Sequence, residues 1–180
     1  MARIYEDTRQ QIHDGDKHSL KHARFAELGI EVERKALPFG DYMADGSNRS
    51  VDTKRDLFEL MGNLGAGYRR IDHECARACE AGYRLVFLCE AGERYGDPNE
   101  LAKARSRYCL KCPQGRSGKC DPTAKGGGCE KRGDRRKPFQ GYQMAGKMAA
   151  LSKKHGAEFA FCDPKDAADV ICDLLGVDYE

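Results

Sequence analysis

Pro38-Phe39-Gly40-Asp41-Tyr42-Met43-Ala44-Asp45-Gly46-Ser47-Asn48-Arg49-Ser50-Val51-Asp52-Thr53-Lys54 is the stretch that decides the fold. Asp41 to Ala44 reads as a short strand, Asp45-Gly46-Ser47-Asn48 has hairpin-turn composition, and Ser50 to Lys54 runs back. Asp41 and Asp52 are thereby expected on adjacent antiparallel strands. Because residues two apart on a strand face one side, Asp52 and Lys54 are expected to point together, with Thr53 pointing away.

Upstream of the hairpin, Arg3 to Asp7 reads as a strand, Ser19 to Leu28 as an amphipathic helix closed by Gly29, and Ile30 to Leu37 as a second strand. Downstream, Leu57, Leu60, Met61 and Leu64 recur at helical spacing, and another helix runs from Tyr68 to Ala81. The apolar run Arg84-Leu85-Val86-Phe87-Leu88-Cys89 predicts a buried central strand. A helix over Phe139–His155, a strand over Glu158–Cys162 and a helix over Lys165–Leu175 close the pattern. The expected fold is α/β, a mixed central sheet flanked by helices, with residues 1–180 as one domain and 105–137 inserted into it.

The 180 residues fit one core with a modest insertion. A hydrophobic fraction of 40% against 33% charged excludes disorder throughout, and no apolar run approaches the roughly 20 residues of a membrane span. No membrane partner is expected, and the N-terminus lacks the build of a signal peptide, so the expected location is cytoplasmic. The net charge of +2 conceals an asymmetry: Lys103 to Lys137 holds twelve Lys and Arg against three acids, and the rest of the chain is net acidic. A local basic segment on an acidic body suits a polyanion such as DNA, though a solvated loop needs charge too.

Asp41, Asp52 and Lys54 supply the groups that phosphodiester hydrolysis requires. Carboxylate oxygens can hold Mg²⁺ or Mn²⁺, which polarises the phosphate and acidifies water, and an ammonium can orient that water or stabilise developing charge. A D-x-K triplet by itself is common on exposed strands; its context carries the reading. Asp7-Thr8-Arg9-Gln10, Gly40-Asp41-Tyr42 and Val51-Asp52-Thr53-Lys54, followed by Asn63-Leu64, by Arg70 and Glu74 on the next helix, and by Glu90 after the apolar strand, resemble the XPF-family nuclease domain of the PD-(D/E)XK superfamily. The resemblance covers roughly residues 3 to 90.

It implies a Mg²⁺- or Mn²⁺-dependent DNA endonuclease, with Asp7, Asp41 and Asp52 as metal carboxylates and Lys54 as the catalytic lysine. Arg9, Glu74 and Glu90 join the catalytic set, and Arg70 contacts nucleic acid. The chain departs from the family pattern at Gln10, Asp52 and Thr53, where Glu, Glu and Arg are usual, and at Phe58, where an aspartate is expected. Without a tandem helix-hairpin-helix segment the chain looks closer to short bacterial and phage versions, acting in repair, recombination or phage DNA processing. Homodimer formation is an expectation from the resemblance alone; flap, fork, junction, plain duplex and RNA remain open as substrates. Plainer readings stand beside these: Asp41 as a turn cap, Asp7 as a strand-end cap, Arg70–Glu74 as an i,i+4 surface pair, and Glu90 as structural.

Nine cysteines without an export signal point to reduced thiols and metal ligation. Cys109, Cys112, Cys120 and Cys129 offer four thiolates in a segment too poor in apolar residues to form its own core, and tetrahedral Zn²⁺ would supply its folding energy. Free thiols, disulfides and an iron–sulfur cluster remain alternatives. Arg105, Arg107, Lys131, Arg132, Arg135, Arg136 and Lys137 around this module are candidate DNA contacts. Cys75, Cys79, Cys89, Cys162 and Cys172 read as small packed hydrophobes. The alternative function is a non-catalytic zinc-containing nucleic-acid-binding protein on a nuclease-like fold.

Overall fold

The computed structural model describes residues 2–10, 17–117, 120 and 138–179. Six strands form one mixed sheet, and two layers of helices cover it. In chain order the elements are β1 (Arg3–Asp7), α1 (Lys17–Glu27), β2 (Glu31–Lys35), β3 (Tyr42–Met43), β4 (Arg49–Lys54), α2 (Leu57–Leu64), α3 (Tyr68–Glu80) and β5 (Arg84–Cys89). After β5 come α4 (Pro98–Lys103), α5 (Arg107–Lys111), α6 (Pro113–Arg116), α7 (Gly141–His155), β6 (Glu158–Phe161) and α8 (Ala167–Leu175). The sheet order is β2-β1-β3-β4-β5-β6. β3 runs antiparallel to both β1 and β4, whereas β1–β2, β4–β5 and β5–β6 pair in parallel.

β5 explains the two-layer design. Val86 and Leu88 face a core shared with Ile4, Phe25, Val51, Ile171 and Leu175, so α1 and α8 cover that side. Leu85, Phe87 and Cys89 face the other side, against Leu60, Leu64, Ile71, Met144 and Leu151 of α2, α3 and α7. A strand buried on both faces needs an uninterrupted apolar run rather than alternation, which is the run read in the sequence. β2, at the sheet edge, is the opposite case. Its residues Glu31, Glu33, Arg34 and Lys35 are all partly or largely exposed, and Arg3 on β1 binds both Glu31 and Glu33.

The capping chemistry is local. Asp56 stops β4 and starts α2 by accepting from the Glu59 amide at 2.8 Å, and Gly156 ends α7 in the left-handed conformation that glycine reaches without a Cβ clash. Between β5 and α7 the sequence pattern gave no helices, yet α4, α5 and α6 are present. α4 begins on an Asp97 cap followed by Pro98, and Leu101 joins the α7-side core. α5 starts on Ser106, whose hydroxyl accepts from the Cys109 amide at 3.3 Å. These helices have four to six residues, too short for a 3.6-residue period to show. One cysteine departs from expectation: Cys75, Cys89, Cys162 and Cys172 are buried, but Cys79, in the last turn of α3, is exposed.

Leu88, fully buried in the central strand, tests this packing. Leu88→Ala is expected to lower unfolding stability by about 2–5 kcal/mol in urea titrations. A loss under about 1 kcal/mol would contradict a strand packed on both faces.

Candidate active site

Backbone hydrogen bonds place the acidic residues in a row across the sheet. Asp41 lies just before β3, where its amide donates to Val51 O at 2.7 Å and its carbonyl accepts from Asp7 N at 2.8 Å. Glu90 follows β5 and donates its amide to Lys54 O at 2.9 Å. Asp7, Asp41, Asp52, Lys54 and Glu90 thus sit at one end of adjacent strands. With Arg9, Arg70 and Glu74 they line a single open cleft of about 1020 Å³. Every catalytic residue expected from the sequence is brought to this cleft, and so is Arg70.

Gly40 makes the row geometrically feasible. Its φ is +60°, and a Cβ built there would lie 2.8 Å from Val51 O and 2.5 Å from Ser50 Oγ. Only glycine gives both the left-handed turn and the close approach to β4 that set Asp41 in place. Tyr42 next to it is wholly buried and sends its hydroxyl to Glu6 at 2.8 Å, anchoring the turn from the opposite face.

Each carboxylate has a partner within the protein. Asp7 accepts from the Arg9 amide at 3.0 Å and pairs with the Arg9 guanidinium, so the side chain that lines the cleft also makes the strand-end cap. Burial pushes the Asp7 carboxyl up, but the Arg9 bonds outweigh it and hold the group below its ordinary range. Asp41 Oδ2 accepts from both Thr53 N and Thr53 Oγ1 at 2.7 Å. Thr53, on the strand face opposite Asp52 and Lys54 as alternation expects, nonetheless lines the cleft, because Asp41, lying outside the paired part of β3, reaches across to it.

Asp52 and Lys54 are buried together and form an ion pair. Burial, reinforced by the like charge of Asp41, pushes the Asp52 carboxyl up to about 7 against the pull of Lys54. For Lys54, burial presses the ammonium down, but the charges of Asp52 and Asp41 prevail and keep it protonated above its ordinary value. Acids gathered in one cleft, with one buried carboxyl pushed up in part by the charge of another, are a recurring feature of sites that take up a cation. Their oxygen donors suit Mg²⁺ or Mn²⁺, which keep several waters and need only one or two protein carboxylates. Asp7, Asp41 and Asp52 therefore fit such an ion by donor chemistry.

Arg70 bonds Glu74 at 3.4 Å and also Asn63, so the i,i+4 pair exists, but on the cleft wall. The side chains of Arg9 and Arg70 are 68% and 63% exposed, leaving their outer faces open to a phosphate. Arg105 is instead spent on Gly115 O at 2.9 Å, and Arg107 stacks over Phe58 with its guanidinium 4.9 Å from the ring centre. Phe58, where the resemblance expects aspartate, thus carries an arginine. Neither Arg105 nor Arg107 lines the cleft.

The cysteine module is only partly described. Cys109 is buried and its sulfur receives Gln140 Nε2–H at 3.1 Å, while Cys112 and Cys120 are half-buried. Cys129, Lys131, Arg132, Arg135, Arg136 and Lys137 lie outside the described residues. Among the described residues, the single group of three metal-ligating side chains with ligand atoms within 4.8 Å of one another is Glu6, His18 and His22. Sequence reading missed these, and it missed Lys21, buried in the cleft as the partner of Glu90. The spacing of His18 and His22 on one helix was a readable signal; Lys21 looked like an ordinary solvated lysine.

No protein-family model matches the chain, and no curated protein does. Solved structures do. XPF from Aeropyrum pernix matches at 23% identity with a TM-score of 0.55, over 96% of this chain and 63% of that one. XPF from Aeropyrum pernix in complex with DNA matches at 22% identity and a TM-score of 0.57, over 98% of this chain and 64% of that one. The chain has an XPF-like fold and spans just under two thirds of the length of these neighbours.

Gly40→Ala tests the construction of the row. It is expected to destabilise the protein by several kcal/mol, since a Cβ collides with β4 backbone at a positive φ. Thermal unfolding would measure the loss; a melting temperature equal to wild type would show that the turn can be remade without glycine.

Proposed function

We propose that this protein is a divalent-metal-dependent endonuclease acting on DNA. The observation that carries the reading is the buried Asp52–Lys54 pair beside Asp41 and Asp7 in one open cleft. Asp7, Asp41 and Asp52 would hold Mg²⁺ or Mn²⁺, and the ion supplies phosphate polarisation and a more acidic water when bound. Lys54 stays protonated, so its ammonium serves to orient a water or to offset charge developing on the phosphate. Arg9 and Arg70 present exposed guanidinium groups at the cleft and would hold flanking phosphates. Glu74 aligns Arg70, and Glu90 keeps Lys21 in the cleft wall. The DNA complex of the structural neighbour supports nucleic acid as the partner.

Beyond the cleft, Cys109, Cys112, Cys120 and Cys129 would bind a structural Zn²⁺ in the 105–137 module. Arg105, Arg107, Lys131, Arg132, Arg135, Arg136 and Lys137 would add electrostatic grip on the backbone. A homodimer is part of the same proposal and rests on the family resemblance.

The test is cleavage of labelled duplex, flap, fork and single-stranded DNA with Mg²⁺ or Mn²⁺. Asp52→Asn and Lys54→Ala are each expected to lower the rate by about 100-fold or more. Salt-sensitive binding with no cleavage by the wild type would favour the non-catalytic DNA-binding protein instead. The pH profile gives a second check. Asp52 must lose its proton to act as a ligand, and its carboxyl is raised to about 7, so its ionised fraction grows as pH rises through neutrality. Metal-dependent cleavage is therefore expected to climb from pH 6 to pH 8; a flat or falling profile would remove ionised Asp52 from the reaction.

A further inference from the structure

We propose that Glu6, His18 and His22 form a second metal site, one for a divalent transition-metal ion of the zinc type, chemically distinct from the aspartate cleft. His18 and His22 are one helical turn apart on α1 and so share a face, and Glu6 meets them from β1. Glu6 Oε1 lies 2.8 Å from His18 Nε2 and 3.0 Å from His22 Nε2, with the two rings stacked at 4.3 Å. Glu6 follows the face of Ile4, toward α1, whereas the alternation of β1 turns Asp7 the other way.

Three donors converge on one oxygen of Glu6, a crowding that a cation shared with the two imidazoles would relieve. Oε1 is shared by two imidazole nitrogens and the Tyr42 hydroxyl at 2.8 Å. Oε2, equally buried, has Arg34 Nε 3.2 Å away but no hydrogen bond of acceptable geometry. Without a cation, both imidazoles must carry their proton on Nε2 and aim it at the same oxygen. With one, both Nε2 lone pairs and Oε1 become ligands of a shared ion. Zinc bonds of about 2.0–2.1 Å in a tetrahedron put ligand atoms about 3.3 Å apart, so the two Glu6–imidazole spacings need to open by only a few tenths of an ångström.

Donor type sets the selectivity. Two imidazole nitrogens and one carboxylate oxygen favour Zn²⁺ and its transition-metal neighbours over Mg²⁺, which prefers oxygen alone. His18 lines the cleft and the His22 side chain is 33% exposed, so an ion has a way in. A bound ion would clamp α1 to β1. Because α1 also carries Lys21 against Glu90, the clamp would fix one wall of the cleft.

The inference stands apart from the nuclease reading, and its test reads metal rather than activity. Chelator-treated protein is titrated with ZnCl₂, bound zinc is counted, and the melting temperature is followed for wild type and His22→Gln. The glutamine amide can still donate to Glu6 but is a poor zinc ligand, so it keeps a hydrogen-bonded brace and removes the metal site. Expected are one zinc equivalent fewer in His22→Gln than in wild type, a smaller zinc-induced rise in melting temperature, and no substitution by Mg²⁺. Zinc bound by the cysteines is common to both proteins and cancels. Equal zinc counts in the two would overturn the proposal and leave the cluster a hydrogen-bonded brace. If His22→Gln fails to fold, His18→Gln is read by the same count. A failed cleavage assay would not alter either outcome.

Discussion

The amide and carbonyl of Asp41 hold the site together. One bonds β4 and the other bonds β1, so a residue outside the regular part of β3 stitches two strands into register at the end where the acids lie. Side-chain chemistry at Asp7, Asp41 and Asp52 depends on that stitch, because carboxylates on separate strands repel and need backbone bonds to stay close. Gly40 is the condition for the stitch, and the buried Tyr42 its counterweight on the far face.

Ionic side chains are buried on both sides of the strand ends, and burial of a charge is tolerable only with a partner. Asp52 has Lys54, Glu90 has Lys21, and Glu6 has two imidazoles, a phenol and Arg34. The sheet carries these costs because β5 and its two apolar faces supply a large core on either side. The division of labour is spatial: apolar residues occupy the middle of the central strands, and the buried charge gathers at one end.

Much of the molecule was legible in the sequence because its signals are local. The Asp45–Asn48 turn fixed the hairpin, and the hairpin brought Asp41 opposite Asp52. The unbroken apolar run of β5 announced a central strand, and its ending at Cys89 announced Glu90. What stayed hidden depended on distance in sequence. Lys21 meets Glu90 across 69 positions, and His18 meets Glu6 only because α1 folds back over β1. The place of Thr53 in the cleft was missed because strand alternation governs where a residue points, not which neighbour's side chain comes to meet it. The short helices after β5 were hidden for a simpler reason, since one turn of helix has no period to detect.

The charged strand β2 has a bearing on how copies of this fold behave at high concentration. An open sheet edge offers unpaired amides and carbonyls to any passing chain, and a flat apolar edge recruits further strands. Here a newcomer would have to lay its own backbone beside Glu31, Glu33, Arg34 and Lys35 and displace the Arg3 pairs that hold the two glutamates. That edge acts as a terminus, so the sheet is protected from runaway growth on that side by the charged residues of β2.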